Sequence, residues 1–214
     1  MGDLTVIFLT PNRVPKQWAE YHKKVLLEAI GDNPIITISR EPLDWGINLL
    51  QTGYSVTNIY KQILRGAKLA TTSYIAIAED DTLYSKEHFD YRPPLNIFAY
   101  NMTRWGIFTW DSPYYFYKPR SANGTMIATR ELVIKELEDL FKKYSEIPEH
   151  IIKKLWGRED KRYLEFYTYD PIVCFNHRWG VDPLEKRWRK RSTPVRALEI
   201  PFWGRADLLR ANFK

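Results

Sequence analysis

Cysteine and long apolar runs are scarce in this sequence. Cys174 is the only cysteine among 214 residues, so an internal disulfide and a zinc site made of several cysteines are both excluded. The longest apolar runs are strand-sized, such as residues 5–9 and 35–38, and nothing approaches the roughly 20 residues that a transmembrane helix needs. The first residues lack the basic segment and the small-residue cleavage site of a signal peptide. We therefore expect no membrane span and a reducing, cytoplasmic setting.

Two common catalytic motifs are also missing. The sequence has no Walker loop and no nucleophile elbow, which leaves P-loop enzymes and hydrolases without support. Its 44% of hydrophobic residues can supply a real core over a length that suits one sizeable domain. A disordered or fibrous protein is therefore excluded.

Positive charge is concentrated near the C-terminus. The net charge is +6, and residues 158–214 hold 13 of the 32 lysines and arginines but only 8 of the 26 acidic residues. The densest stretch, residues 185–196, predicts a polyanionic partner such as nucleic acid or an acidic membrane. A solvated basic tail is the alternative interpretation.

Strand-like and helix-like segments alternate in the first half of the chain. Three β-branched and apolar runs are typical of strands: residues 4–10, 35–39 and 74–78. Apolar residues recur at helical spacing after Pro15 and again after Ser55, which is a good helix N-cap. We expect a loop over residues 40–54. This β-α-β-α-β order predicts an α/β fold with a mostly parallel sheet flanked by helices, in which ligands bind at the carboxyl ends of the strands.

The second half of the chain continues with short strands and one long helix. The strand predictions there are residues 106–110, 114–117, 125–128 and 172–175. Thr129 is a good N-cap for a helix that reaches Tyr144. We expect one domain over residues 1–183, followed by a short basic C-terminal extension over residues 184–214.

Three consecutive carboxylates follow the strand at residues 74–78. Glu79, Asp80 and Asp81 repel one another unless a cation or hydrogen-bond donors compensate their charge. A solvated turn after a strand is the simpler explanation. The position of this acidic triplet at the carboxyl end of a predicted strand suits a ligand site as well.

With these residues the chain resembles the GT-A glycosyltransferases, which move a sugar from a nucleotide diphosphate to an acceptor. The resemblance covers roughly residues 4–182 and implies a GT-A, Rossmann-like fold. The acidic triplet is similar to the family's DXD-type motif, which implies that Mn²⁺ or Mg²⁺ is bound directly by Asp81. Glu79 and Asp80 would then bind the ion through water or reach the ribose. A hard divalent cation at this place neutralises the charge of the leaving diphosphate.

Three further motifs follow in the order of the family. Asn123 and Gly124 resemble the glycine loop that faces the donor sugar, although a plain turn would explain them too. Asp160, in Arg158-Glu159-Asp160 at the start of a predicted helix, resembles the general base of inverting members. The alternative is that Glu159 and Asp160 are first-turn residues that complement a helix dipole. His177, after the last strand, resembles the histidine that completes the metal site.

The resemblance also implies contacts to the nucleotide of the donor, for which we expect a UDP-sugar. The candidate nucleotide-sugar-binding residues are Thr10, Asn12, Arg13, Arg40, Asn58, Asp80, Asn123 and Gly124. Two family positions differ, because Thr57 stands where an arginine is usual and the aspartate that often ends the second strand is absent.

The acceptor is predicted from aromatic and basic residues. Trp110 and Tyr115 are candidates for stacking on a sugar or base, and Arg187, Trp188, Arg189 and Arg191 for binding a polyanion. Similar small enzymes of bacteria and their viruses glycosylate hydroxymethylated pyrimidines, so we expect DNA as the acceptor and a bacterial or phage-infected cell as the setting. Transfer to an ordinary bacterial glycan stays an alternative.

Two other functions compete with glycosyl transfer. A nucleotidyltransferase shares the α/β sheet and the acidic metal site, but the segment after the first strand, residues 10–16, contains no glycine. A non-catalytic nucleic-acid-binding protein would explain the basic stretch and leave the acidic triplet, Asp160 and His177 without a purpose.

Overall fold

The fold is described by a computed structural model that covers residues 2–179 and 195–213. Its strands are β1 (Leu4–Leu9), β2 (Ile35–Ser39), β3 (Ile47–Leu50), β4 (Tyr74–Glu79), β5 (Thr82–Leu83), β6 (Phe98–Asn101), β7 (Arg104–Phe108), β8 (Tyr115–Tyr117), β9 (Met126–Thr129), β10 (Tyr163–Phe166), β11 (Ile172–Asn176), β12 (Arg196–Ala197), β13 (Glu199–Ile200) and β14 (Gly204–Arg205). Its helices are α1 (Lys16–Ile30), α2 (Val56–Leu69), α3 (Lys86–Asp90), α4 (Arg130–Lys143), α5 (Glu149–Ile152) and α6 (Ala206–Arg210).

A seven-stranded sheet forms the centre of the molecule, in the order β10-β6-β9-β4-β1-β2-β3. The strands β3, β2, β1 and β4 are parallel neighbours, and β9 runs antiparallel to both β4 and β6. Since β10 is parallel to β6, only β9 runs against the other six strands. The expected α/β fold with a mostly parallel sheet flanked by helices is confirmed.

The two long N-terminal helices begin and end where the sequence places their signals. Pro15 precedes α1, and Gly31 ends this helix with a positive φ of 55°, a conformation that glycine adopts without strain. The Ser55 hydroxyl accepts a hydrogen bond from the backbone N–H of Asn58 and so caps α2. The inward faces of α1 and α2 cover opposite sides of the sheet, because α1 packs in one apolar cluster with Ala76 and α2 packs in another with Ile75.

A second sheet of five strands lies beside the carboxyl end of β4, in the order β12-β8-β7-β11-β5. Its link to β4 is β5, which follows the acidic triplet and pairs antiparallel with β11. The second sheet therefore brings β11, and the residues that follow it, next to the triplet.

The described part of the predicted C-terminal extension belongs to this same body. Strand β12 pairs with β8, and Ile200, Leu209 and Phe213 pack in one apolar cluster with Trp18 of α1 and Phe175 of β11. Residues 195–213 are thus part of the domain. The predicted boundary at residues 183 and 184 lies outside the described residues.

Several elements differ from the sequence-based prediction. The expected loop over residues 40–54 contains β3, an edge strand whose Ile47 is 57% exposed. The short elements β5, β6, β10 and α3 were not predicted. No helix begins at Arg158, since the described residues from Lys153 to Lys161 form consecutive turns.

None of the helices formed by the described residues is long and apolar enough to span a membrane.

Candidate active site

The backbone of the acidic triplet is fixed from three directions. From α1, the Trp18 indole N–H donates to the Asp80 carbonyl at 2.7 Å, and the His22 imidazole Nε2 donates to the Thr82 carbonyl at 2.8 Å. From β11, the N–H of Phe175 donates to the Asp81 carbonyl at 2.7 Å. The hydroxyl of Tyr84 accepts from the Glu79 N–H at 3.0 Å. The triplet is therefore a rigid part of the core, and a solvated turn does not describe it.

Asp81 and His177 meet although they lie far apart in the sequence. The Oδ2 atom of Asp81 lies 3.5 Å from the Nε2 atom of His177, and both side chains are mostly shielded from solvent. Burial alone would raise the pKa of Asp81, but the hydrogen bond and charge of His177 and the hydroxyl of Thr82 lower it to about 2. Asp81 is thus an ionised carboxylate at neutral pH, and it lies beside an imidazole.

This pair fits a divalent cation as a partial ligand set. Two atoms that bind one ion at about 2.1 Å and near-octahedral angles lie about 3 Å or somewhat more apart, which agrees with their separation. Carboxylate oxygen and imidazole nitrogen both suit manganese-like ions. Among the described residues no three acidic, histidine or cysteine side chains converge as a metal cluster, so Asp81 and His177 form a two-residue set and the water-mediated role of Glu79 stays a prediction. Oxygens of a bound substrate would have to complete the coordination.

The carboxyl groups of Glu79 and Asp80 have raised pKa values. Burial, and after it the charge of Asp81, raises the pKa of Glu79 to about 7 and that of Asp80 to about 7. A Cβ atom added at Gly124 would lie 2.8 Å from the Oε2 atom of Glu79. The glycine loop therefore packs directly against the Glu79 carboxylate, and a side chain at position 124 would displace that carboxylate.

The sequence-based prediction did not include two buried cationic residues whose charge acts on the triplet. Arg104 at the start of β7 and Lys118 after β8 are both almost fully buried, and the charge of each lowers the pKa of Glu79. Lys118 Nζ donates to the Asn176 side-chain oxygen at 3.2 Å, and the Lys118 N–H donates to the Arg104 carbonyl at 2.8 Å. The available signal was a charged residue at the start of an otherwise apolar segment, Arg104-Trp105-Gly106-Ile107-Phe108.

Four of the expected nucleotide-binding residues do come together at the carboxyl edge of the central sheet. The Thr10 hydroxyl donates to Asp80 Oδ2 at 2.5 Å and accepts from the Asn12 N–H at 2.9 Å. Asn12 has a positive φ of 54°, and its side-chain oxygen accepts from the backbone N–H groups of Arg40 and Glu41. The ends of β1, β2 and β4 are thereby joined by side-chain hydrogen bonds.

The remaining expected donor contacts have local structural roles. The Arg13 guanidinium lies over the Tyr54 ring at 3.9 Å. The Asn58 amide donates to the Gln51 side chain and the Gly53 carbonyl, so it holds the turn before α2. The side-chain oxygen of Asn123 accepts from the Trp156 indole at 3.0 Å.

Asp160 is not part of this site. Its carboxylate is 49% exposed and accepts hydrogen bonds from the Arg162 backbone and side chain, which lower its pKa. The Arg162 carbonyl bonds the Phe98 N–H at the amino end of β6, and the sheet register sets Phe98 level with Ile75 of β4. Ile75 lies four residues, about 13 Å, before Glu79 along its strand. Asp160 therefore lies near the amino ends of the strands, whereas the acidic triplet lies at the carboxyl end of β4. This placement corrects the prediction of Asp160 as the general base.

The acceptor predictions have mixed outcomes. Tyr115 is fully buried, and its hydroxyl donates to the Gly204 carbonyl at 3.0 Å, so the expected acceptor contact is wrong. Trp110 is partly exposed and packs on Phe108. The residues Arg187, Trp188, Arg189 and Arg191 lie outside the described residues.

Two surface clefts of about 410 and 540 Å³ lie away from the triplet, one beside α3 and one beside the start of α4. None of the residues that line these two clefts belongs to the triplet or makes one of the hydrogen bonds to it described above. The chemistry of the triplet, and not the size of these clefts, therefore identifies the candidate site.

No protein-family model and no curated protein matches the sequence. Among solved structures, a nucleotidyl transferase from Methanothermobacter is 14% identical, with a TM-score of 0.49 over 78% of this chain and 88% of that chain. A protein described as a nucleotide-diphospho-sugar transferase from Desulfovibrio desulfuricans is 10% identical, with a TM-score of 0.45 over 91% and 90%. The glycosyltransferase GlyE of Streptococcus pneumoniae is 12% identical, with a TM-score of 0.47 over 76% of this chain and 44% of GlyE.

These similar structures include transferases of both the glycosyl and the nucleotidyl type. This chain spans less than half the length of GlyE. At identities this low the likeness concerns the fold alone, and it assigns no activity to the chain.

Proposed function

We propose that this protein transfers a sugar from a nucleotide-diphosphate sugar, for which UDP-sugars are the first candidates, to a hydroxyl group of an acceptor. The observation that carries the proposal is the meeting of Asp81 and His177 at the carboxyl end of a central parallel strand. An ionised carboxylate and an imidazole at the carboxyl end of the strand are suitable ligands for the cation that accompanies a nucleotide diphosphate.

Asp81 and His177 would hold Mn²⁺ or Mg²⁺ in this proposal. Such an ion, when bound, neutralises the charge that develops on a departing nucleoside diphosphate. Thr10 and Asn12, which tie the ends of β1, β2 and β4 together, would fix the edge on which the nucleoside lies. Gly124 packs directly against Glu79, so the glycine loop and the acidic triplet would together form one wall of the donor-sugar site.

An inverting mechanism with Asp160 as the base is not part of the proposal. The exposed carboxylate of Asp160 is paired with Arg162 near the amino ends of the strands, away from the acidic triplet. The stereochemistry of the product is therefore a separate measurement, by NMR of the anomeric proton.

Hydroxymethylated pyrimidine in DNA remains our proposed acceptor. Its support is the basic stretch in the sequence, five lysines and arginines within residues 186–191, which suits phosphate contacts. A bacterial glycan is the alternative acceptor. Mass spectrometry of both acceptor classes after incubation with the active donor separates them by the addition of one sugar mass.

The donor reaction is tested with a panel of nucleotide sugars and detection of the released nucleoside diphosphate. We expect release that requires Mn²⁺ or Mg²⁺, that EDTA abolishes and that Asp81→Asn reduces by at least about 10²-fold. Asp139→Asn is the control, because Asp139 is an exposed carboxylate of α4 paired with Lys142. Turnover that persists under chelation would refute the metal site. Release of pyrophosphate from a nucleoside triphosphate and a sugar phosphate would identify a nucleotidyltransferase instead.

A further inference from the structure

The side chain of Arg104 is enclosed within the body of the protein. The residue is only 3% exposed, and its Nε and Nη1 atoms have no hydrogen-bond partner among the described residues. A buried guanidinium carries a high desolvation cost unless opposite charge lies close by. Such a residue calls for a compensating group.

The strand register sets Arg104 on the side of the second sheet that approaches the acidic triplet. Gly106 of β7 pairs with Cys174 of β11, and Cys174 pairs with Thr82, the residue after Asp81. Arg104 is two residues from Gly106 and therefore on the same face of β7 as this row. A long side chain at that place can reach toward the carboxylates that precede Thr82.

The charges on both sides agree with this placement. Burial alone would lower the pKa of Arg104, but Cys174, Glu79 and Asp81 raise it above its ordinary value. Glu79 and Asp81 are therefore the two carboxylates of the triplet whose charge acts on Arg104. No ion pair within contact distance joins Arg104 to a described carboxylate, so the attraction acts over a longer distance through a buried, weakly screened region.

We propose that Arg104 is the resident counter-cation of the acidic triplet. It compensates Glu79 and Asp81 from behind the strand ends, so the triplet stays folded into the core without a bound metal. Arg104 is in this sense a positioning residue, because it acts on the carboxylates and not on a substrate. A further consequence is that its positive charge opposes a second cation, and so weakens metal binding at Asp81 and His177.

A double-mutant cycle tests the charge compensation without any reference to activity. Arg104→Met should lower the melting temperature by several degrees at pH 8, and Glu79→Gln added to it should restore at least half of that loss. Arg104→Lys, which keeps the charge, should lose less than Arg104→Met. If Arg104→Met is insoluble, soluble expression of the double variant in its place gives the same answer. A double variant as unstable as Arg104→Met alone would overturn the proposal.

Arg65→Met is the matched control for the cycle. The Arg65 guanidinium has its own partners, the Leu50 carbonyl and the Gln62 side chain. Its loss should therefore add to that of Glu79→Gln without any recovery. Recovery of the same size in this control would show that Glu79→Gln stabilises the protein for an unrelated reason, and would remove the support for Arg104.

Manganese binding, measured by electron paramagnetic resonance, tests the second consequence, which rests on the proposed function. We expect Arg104→Met to bind Mn²⁺ at least about tenfold more tightly than the wild type, and Arg104→Lys to bind like the wild type. Equal or weaker binding by Arg104→Met would contradict this consequence. If the wild type binds no Mn²⁺, the proposed metal site fails, while the double-mutant cycle still decides the role of Arg104.

Discussion

At the scale of single residues, the buried histidine His88 makes the stability of the protein depend on pH. Burial among Tyr84, Phe89 and Phe166 lowers the pKa of His88 to about 3. The unfolded chain binds a proton at this residue near pH 6.5, whereas the folded protein does not until about pH 3. The contribution of neutral His88 is therefore complete above pH 6.5 and is lost as the pH falls toward 3.

His88→Phe should remove this dependence, because phenylalanine fits an aromatic neighbourhood and has no proton to bind. We expect the free energy of unfolding of the wild type, relative to that of His88→Phe, to fall by roughly 1.4 kcal/mol per pH unit below about pH 6. Urea unfolding between pH 7 and 4.5 measures the difference. Phe89→Leu, a change at a neighbour that does not titrate, should show a difference independent of pH. A constant difference for His88→Phe would contradict the lowered pKa.

The sequence could predict which residues meet only where a motif directly follows a strand of the predicted fold. Asp81 and His177 follow strands whose carboxyl ends meet, so topology brings them together as expected. Asp160 was predicted at the start of a helix from the motif Arg158-Glu159-Asp160 alone. The motif carries no information about the backbone conformation of the residues around it. Trp156, Gly157 and Lys161 all have positive φ values, which an α-helix cannot contain.

At the scale of elements, the contact between α2 and β1 depends on one glycine. A Cβ atom added at Gly66 would lie 2.8 Å from the Cγ2 atom of Ile7, which is fully buried. The helix can approach the strand this closely only without a side chain at that position. Glycine costs helix stability of about 1 kcal/mol, and the close packing offsets it.

Gly66→Ala should therefore destabilise the protein, although alanine is the better helix former. We expect a loss of about 1 to 3 kcal/mol in the free energy of unfolding from overpacking against Ile7. Lys68→Ala on the exposed side of the same helix should change it by less than about 1 kcal/mol, since it removes only the surface ion pair with Glu138. Chemical denaturation of both variants decides the matter. A stabilised Gly66→Ala would show that the helix does not press on the strand.

Long periodic elements could be predicted from the sequence, and short ones could not. The helices α1 and α2 combine an apolar face with end signals at Gly31 and Ser55. Strand β3 was interpreted as loop because its four residues are half exposed at the edge of the sheet and lack a clear inward set. Strands β6 and β10 are also only four residues long, and pairing between distant segments defines them more than local pattern does.

At the scale of the whole molecule, the C-terminal residues support the site by covering its framework. Phe213 stacks with Phe175 at 5.4 Å between ring centroids and lies 4.8 Å from the ring of Trp18. Both partners donate hydrogen bonds to the backbone of the acidic triplet. The sequence showed this segment only as the end of a basic extension, because the partners of its apolar residues lie far away in the chain.

The neighbouring residues Leu208 and Leu209 allow a matched test of this packing. Leu209 is 5% exposed and belongs to the cluster around Trp18, whereas Leu208 is 65% exposed. We expect Leu209→Ala to lower the free energy of unfolding by about 2 to 5 kcal/mol and Leu208→Ala by less than about 0.5 kcal/mol. Thermal melts of the two variants compare them directly. Equal effects would show that residues 195–213 do not pack on the domain in solution.

The proposed role of Asp81 and His177 is to hold a divalent cation on which a nucleotide diphosphate binds. Its most direct test is anomalous diffraction at the manganese edge from crystals soaked with Mn²⁺ and UDP. We predict one strong anomalous peak within about 2.0 to 2.4 Å of the Asp81 carboxylate and the His177 imidazole, with diphosphate oxygens beside it. A peak bound elsewhere, or none at this pair while UDP is visible, would contradict the account.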